Sequence, residues 1–270
     1  MNLYPLRTLH LKYLKMKKHK KEIDYYLNMK QAITILFLLV AVVVNGQSYE
    51  GTLVYKTDYV FQLSEKMKQM GITEGMLKER MQKGDPLPDS VKTVYKQGDY
   101  ISYTNFTPAS WSVYKSKENK LYSFQEGEAS DICTVTDVSV DLEEQMTGNK
   151  TVIQKLDTLV DFNGMKCKVV RVKWKTGNYD YYYNDSFLKV DYRLFQSHVY
   201  DGWADYLKIA GALPVKIIKT TNGLATVTFS LIRHNEELID VHLFEIPKLV
   251  KDEELNLIKV ANREIMRIEK

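Results

Sequence analysis

Five histidines, two cysteines and scattered carboxylates are the groups able to do chemistry, and their spacing limits what they can do. His10 and His19 lie ahead of an apolar leader, while His198, His234 and His242 lie in the body of the chain. None falls in an H-E-x-x-H motif or a closely spaced Cys/His pattern able to hold a metal. His234 stands beside Asn235, Glu236 and Glu237, which reads as a solvated hairpin exit. An enzyme would need His198, His234 or His242 to meet carboxylates in a cleft, and spacing alone brings none of them together. Asp201 and Asp205 fall one helical turn apart. Such a pair suits acid–base work, but capping and solvation account for it more simply. Glu126, Glu128 and Asp131 match no calcium loop. There is no G-x-S-x-G elbow, phosphate-binding glycine loop or dinucleotide fingerprint. The chain is therefore read as a non-enzyme, with no catalytic residue, metal or cofactor assigned.

Cys133 and Cys167 are the two cysteines. Both fall in expected strands. A bridge between them would close a loop of roughly 35 residues and contribute about 3–4 kcal/mol by loop entropy. The other reading is two separately buried small hydrophobes. Their spacing excludes a C-x-x-C redox pair.

What remains is apolar binding chemistry. Met67, Met70 and Met76 fall in a stretch of helical period, and methionine adapts to irregular spaces. That stretch is either a soft lid over a cavity or a helix packed on a sheet. Trp111, Tyr114, Phe124, Trp174 and Tyr182 could line an apolar trough that receives an acyl chain. The same aromatics serve equally well as core between sheet and helices.

The elements that must position these residues are mostly strands. The stretch Thr151–Asn184 holds three in a row, at Thr151–Val160, Met165–Trp174 and Tyr179–Tyr183, joined by turns at Asp161–Gly164 and Thr176–Asn178. It is taken as the centre of the sheet. Tyr49–Tyr59 is a first strand. Leu63–Lys83 forms two short helices or one kinked helix, with Thr73 able to cap the second. Two hairpins follow, Val91–Lys96 with Tyr100–Phe106 and Trp111–Ser116 with Lys120–Gln125, and then a strand at Asp131–Val138. A short helix is expected over Tyr200–Ala210, capped by Asp201 and stopped by Gly211. Asn222-Gly223 turns the hairpin Pro214–Thr220 with Leu224–Arg233. Glu237–Ile246 reads as a last strand, and Asp252–Glu269 as a terminal helix or tail. About ten strands without βαβ spacing predict a mainly β fold: a strongly curved antiparallel sheet, a half-open barrel, with helices against its concave face.

The chain has 270 residues, 44% hydrophobic and 27% charged, with a formal net charge of +4. The first 46 residues carry eight basic and two acidic side chains, which leaves the remainder with 30 basic and 32 acidic ones. A near-neutral body has no electrostatic footprint for nucleic acid. Nineteen tyrosines favour strands and amphipathic surfaces, but name no ligand.

Met29-Lys30, the apolar run Ala32–Val44 and the small residues to Gly46 have the form of a secretory signal peptide. Thirteen residues, apolar but for Thr34, are short for a bilayer. Cleavage after Gly46 would leave a protein without a membrane span. Translation is expected to start at Met29, which makes residues 1–28 a non-native N-terminal extension. The rival reading is a basic arm before an uncleaved anchor. Residues 47–250 form one antiparallel-sheet domain, and 251–270 a helix or tail.

Several segments resemble the GLPGLI and DUF4412 families of exported Bacteroidetes proteins, whose function is uncharacterised. They are Tyr49–Lys56 (YEGTLVYK), Asp161–Lys173 (DFNGMKCKVVRVK), the aromatic run after Gly177, Gly211–Pro214 before Val215–Ile218, and Leu243–Pro247 (LFEIP). Together they cover most of Tyr49–Pro247. The resemblance implies a fold similar to the LolA/LolB-like lipoprotein carriers, with the methionine-rich segment as lid and the sheet as trough. It implies an exported protein of the periplasm or outer-membrane periphery that binds or carries a hydrophobic ligand. The alternative is a structural or protein-interaction module that holds another envelope protein.

Overall fold

By its internal contacts the chain divides into Met1–Gln47 and Ser48–Lys270. The computed structural model describes residues 48–83, 88–105, 110–125, 132–253 and 257–260. The leader, the N-terminal extension and the Glu126–Asp131 carboxylates lie outside the described residues.

Alternating apolar and polar residues make β1 (Gly51–Phe61) a strand with one face turned inward. Two short helices follow, α1 (Glu65–Gln69) and α2 (Glu74–Lys83). Ser64 caps the first by accepting from Met67 N, and Thr73 accepts from Met76 N at the start of the second. Next come β2 (Ser90–Lys96), β3 (Asp99–Thr104), β4 (Ser110–Lys115), β5 (Lys120–Gln125) and β6 (Cys133–Asp137). The helix α3 (Leu142–Thr147) leads to β7 (Val152–Phe162), β8 (Met165–Lys173) and β9 (Gly177–Tyr183). The turn between β7 and β8 places Asn163 and Gly164 at positive φ, as a tight hairpin needs. Two 3₁₀ turns, Tyr192–Phe195 and Tyr200–Gly202, precede α4 (Trp203–Ala210), and β10 (Lys216–Thr221) and β11 (Ala225–Glu236) complete the sheet.

The eleven strands form one antiparallel sheet in the order β6-β5-β4-β3-β2-β1-β11-β10-β9-β8-β7. It is curved and does not close. Two meanders, β1 to β6 and β7 to β11, are joined side by side by the β1–β11 pairing, which spans Gly51↔Glu236 to Phe61↔Ala225. β1 is thus the central strand, not the Thr151–Asn184 meander. That stretch occupies one end, with β7 at the sheet's edge. Its register with β8 breaks between Leu156 and Val160, a bulge of the kind that protects exposed edges.

The inner face carries the main core. Leu53 and Tyr55 of β1, Tyr95 of β2, Tyr114 of β4, Val170 and Val172 of β8 and Tyr181 and Tyr183 of β9 are all buried there. The long connection from β9 to β10 crosses this face and seats α4 on it, burying Tyr206, Leu207 and Ala210. Tyr206 donates its hydroxyl to Ala212 O at 2.8 Å, so its polar end is paired inside.

The outer face of β2 to β6 is covered by the chain after β11. Glu237–Ile246 is not a strand. It crosses the sheet with a 3₁₀ turn at Val241–Phe244, and Phe244 buries against Val94, Ile101 and Val113. Of the stretch expected as a terminal helix or tail, Leu257–Val260 is a strand, and residues 261–270 lie outside the described residues. β12 (Leu249–Asp252) and β13 (Leu257–Val260) form a hairpin whose Leu249 and Ile258 pack on Tyr122, Phe124 and Cys133. Burial against that cluster outweighs the helical spacing of the segment. Among the described residues no helix is long and apolar enough to cross a membrane.

Candidate functional site

Between the inner face and the connection that crosses it lies a cavity of about 240 Å³. Its floor comes from the sheet: Tyr55 of β1, Tyr95 of β2, Tyr100 of β3, Tyr181 of β9 and Phe229 of β11 present their rings to it. Tyr95 and Tyr100 are directly paired across β2–β3, and Tyr100 pairs with Tyr114 across β3–β4. Alternation along each strand therefore stacks one tyrosine per strand on the same face. Ring centroids 5.7 Å and 5.1 Å apart continue that row.

The roof is the stretch His198–Trp203. Val138 O accepts from both Val199 N and Tyr200 N, and Asn119 donates to Ser197 O, which fixes the stretch over the trough. Asp201 and Gly202 follow at φ 60° and 64°, two successive left-handed residues that turn the chain sharply into α4. Gly202 is required there: a Cβ would stand 2.5 Å from Val172 Cγ1. Asp201 does not cap α4. Its N-cap is Gly202, without a side-chain bond. The Asp201 carbonyl instead accepts from the Tyr181 hydroxyl at 2.9 Å, and its carboxylate meets Lys219 Nζ at 3.0 Å. Asp201 is thus pinned from two strands, which offsets the cost of its backbone conformation.

Lys219 is the one lysine lining the cavity, and its side chain keeps 30% of its exposure. Burial works against the ammonium, but the Asp201 carboxylate and the Tyr179 and Tyr200 phenols outweigh it. They hold its pKa above the usual lysine range. Its Nζ also lies 4.3 Å from the centre of the Tyr179 ring.

His198 is 3% exposed and shares a 2.9 Å hydrogen bond between its Nε2 and the Tyr100 hydroxyl. Burial lowers its pKa to about 4, so the ring is neutral at physiological pH. With the tyrosine assigned as donor, the ring proton sits on Nδ1. Neither that atom nor the indole Nε1 of Trp203 makes a well-formed hydrogen bond, although the His198 and Tyr200 backbone lies close enough to favour the charged ring. Burial also raises the hydroxyl pKa values of Tyr100 and Tyr181 well above the phenol range, so both remain protonated donors.

The residues selected from the sequence lie elsewhere. Met67 is half-buried, while Met70 and Met76 are 68% and 57% exposed, and none lines the cavity. The methionine segment does not form its lid. Trp111 and Phe124 stack at 4.0 Å in the outer-face cluster beneath the C-terminal segment. Trp174 is buried core, and its indole N–H donates to Asp141 at 2.9 Å. Tyr182 is half-buried, with Lys216 5.5 Å from its ring centre. Its neighbours Tyr181 and Tyr183 belong to the inner core. Trp111, Phe124 and Trp174 therefore take the core reading. Cys133 and Cys167 are free buried thiols in separate clusters, on edge strand β6 and on β8 near the opposite edge, so they are not bridged. Burial pushes the Cys133 thiol up to about 11 and raises that of Cys167, which leaves both unreactive.

Tyr95, Tyr100, Tyr200, Trp203 and Lys219 were not singled out from the sequence. A signal existed in H-V-Y-D-G-W, where four side chains able to hydrogen-bond or stack crowd around a glycine. Of the histidines weighed for catalysis, His198 alone enters the cavity. Asp201 is its companion there, while Asp205 is exposed. Among the described residues no group of three or more His, Cys, Asp or Glu could hold a metal.

No family model matches the chain, and no curated protein matches it. Among solved structures it is similar to PNGF-II in two crystal forms. In the C2 form the TM-score is 0.38 at 9% identity over 72% of this chain, and in the P21 form 0.38 at 8% over 73%. The chain matches 29% and 30% of the length of those two structures.

Proposed function

We propose that the chain is a binding module that takes a hydrophobic ligand into the trough between the sheet and the His198–Trp203 roof. The observation that carries this reading is the cavity: about 240 Å³, with seven Tyr, Trp and Phe rings and four aliphatic side chains in its wall beside a smaller set of polar groups. Apolar walls with sparse polar anchors are the usual make-up of a small-molecule site. Its volume lies just below the roughly 300–1,000 Å³ of drug-sized pockets. A compact apolar molecule fits it, or the end of one acyl chain, but not a whole diacyl lipid. The leader at Met29–Gly46 and the resemblance to exported families favour a role in the cell envelope.

Ser112 of β4 lines the cavity and offers a position to fill it. A neutral hydrophobic dye, N-phenyl-1-naphthylamine, is expected to brighten on the wild-type protein. The Ser112→Phe variant, with an unchanged melting curve, is expected to lose most of that signal. Equal brightening by both would sink the proposal.

A second reading, a module that holds another protein, is favoured by β7, an eleven-residue strand at the sheet's edge. Its bulge and its charges Lys155, Asp157 and Asp161 work against strand addition. The cavity is therefore preferred as the site.

A further inference from the structure

From β2 to β6 the inner face carries a line of hydroxyls beside its tyrosines. Thr93, Ser102, Ser112, Ser123 and Thr134 stand directly opposite one another across four successive strand pairs. Side chains at paired positions share a face, so the five form one continuous row. The same face at β8 and β9 carries Val170, Val172, Tyr181 and Tyr183, a solid core. A polar row where the sheet elsewhere builds core is the informative departure.

The row leads out of the cavity. Thr93, Ser102 and Ser112 line it. Exposure rises along the row: Thr93 is buried, Ser102, Ser112 and Ser123 are half-buried, and Thr134 is exposed. Thr93 and Ser102 satisfy each other at 2.9 Å. Beyond that pair, the Ser112 and Ser123 hydroxyls have no partner among the described residues, and neither is sealed from solvent. An independent sign comes from the cavity wall. Tyr95 is only 7% exposed and lines the cavity, yet its hydroxyl also lacks a partner among the described residues. Unlike the roof nitrogens of His198 and Trp203, that oxygen keeps accessible area, so a guest reaches it.

A hydroxyl both donates and accepts, so such a row suits a guest whose polar groups do both. No charged side chain stands on the row or on the one beside it, formed by Tyr95, Tyr100, Tyr114, Leu121 and Thr136. Lys219 and Asp201, the charges in the cavity, meet each other at 3.0 Å. An ionic head drawn in here would give up water without a free counter-ion, which is costly.

We propose that the ligand is an uncharged amphiphile with a hydroxylated head. Its hydrocarbon end fills the cavity, and its polyol end lies over Ser112, Ser123 and Thr134. This rests on the binding reading above and supplies the chemical class of the ligand. At the spacing of neighbouring strands Ser112 and Thr134 stand about 10 Å apart, which leaves room for a three-carbon polyol.

Probes that share an eight-carbon chain separate the cases: monooctanoylglycerol, methyl octanoate, octanoate and octyltrimethylammonium. Each is titrated into the intact folded protein below its micelle concentration. Binding is followed by calorimetry and by ¹H–¹⁵N NMR of the backbone amides. Monooctanoylglycerol is expected to bind about tenfold more tightly than methyl octanoate, as one or two net hydrogen bonds would give. It should move the Ser123 and Thr134 amide resonances, which the methyl ester leaves in place. Ser112→Ala combined with Ser123→Ala removes two hydroxyls without adding bulk, and should cut that preference severalfold. Equal affinities for the glycerol and methyl esters in the wild type would overturn the inference and leave the binding reading standing. Tighter binding of octanoate or octyltrimethylammonium than of monooctanoylglycerol would overturn the uncharged head. Failure of every probe to bind would overturn the binding reading and this inference together. The wild-type affinities and amide shifts decide the matter even if the double variant fails to fold.

Discussion

His198 shows how one side chain is set by its surroundings rather than by its type. A histidine with a free surface titrates near neutrality, but the cavity roof takes this one out of water and lowers its pKa from 6.5 to about 4. Between those values the unfolded chain holds more protons than the folded one. Stability therefore rises with pH across that window. The contribution is fully present above about pH 6.5 and is lost as the pH falls towards about 4. Its size is on the order of 3 kcal/mol. Urea denaturation at pH 7.5 and pH 4.5 should show wild type losing about 2–3 kcal/mol more than His198→Gln. Parallel losses in the two proteins would show that the ring is not held neutral. The sequence marks His198 as a histidine able to join carboxylates in a cleft, and the fold does bring it to a cavity with Asp201. It does not mark Tyr100, whose hydroxyl partners the ring from 98 residues away. Trp111 and Trp174 look alike in the sequence as large apolar rings in strands. Their strands turn them to different clusters, and only the pairing order of the sheet reveals that neither faces the cavity.

At the scale of elements, the turn into α4 is the most demanding joint at the site. Gly202 and Gly211 both have positive φ, at 64° and 60°, but their surroundings differ. Nothing lies within 4 Å of a Cβ at Gly211, whereas one at Gly202 would strike Val172, a stiff β-branched side chain. Gly211→Ala should cost about 1 kcal/mol, the price of the backbone conformation alone. Gly202→Ala should cost about 2–4 kcal/mol, since crowding in a packed core adds to it. Chemical denaturation of the two variants checks the difference, and equal losses would contradict the close packing of α4 on β8. Local turn chemistry made many elements legible. Asn163-Gly164 and Asn222-Gly223 announce their hairpins, and Thr73 announces α2. What local chemistry does not carry is which strands pair. The β1–β11 contact joins residues such as Gly51 and Glu236 from opposite ends of the domain. Without it the Thr151–Asn184 meander looks central. The C-terminal segment fails for a related reason, because Leu249 and Ile258 follow the outer-face cluster that they cover.

For the molecule as a whole, the curved, unclosed sheet creates the site by what it leaves unfilled. Its inner face is wide enough to hold α4 and a solid aromatic core at β8 and β9. Towards β2, β3 and β4 the roof narrows to His198–Trp203 and leaves the cavity. Small residues on the floor, Thr93, Ser102 and Ser112, keep it open. Thr93 and Ser102 pair their hydroxyls at 2.9 Å, so these polar groups need no guest to satisfy them. The mainly β class and the curvature were legible in the number of strands and the absence of βαβ spacing. Whether a trough or a solid core lay under the helices was not legible, since core and cavity draw on the same residue types. The measurement that tests the central claim most directly is native mass spectrometry of the protein taken from its own host, beside Ser112→Phe prepared in the same way. The wild-type protein should carry an additional small apolar molecule, released on denaturation, and the filled variant should have the bare mass of the chain. A bare chain in both preparations, or the same passenger on both, would contradict a ligand held in this cavity.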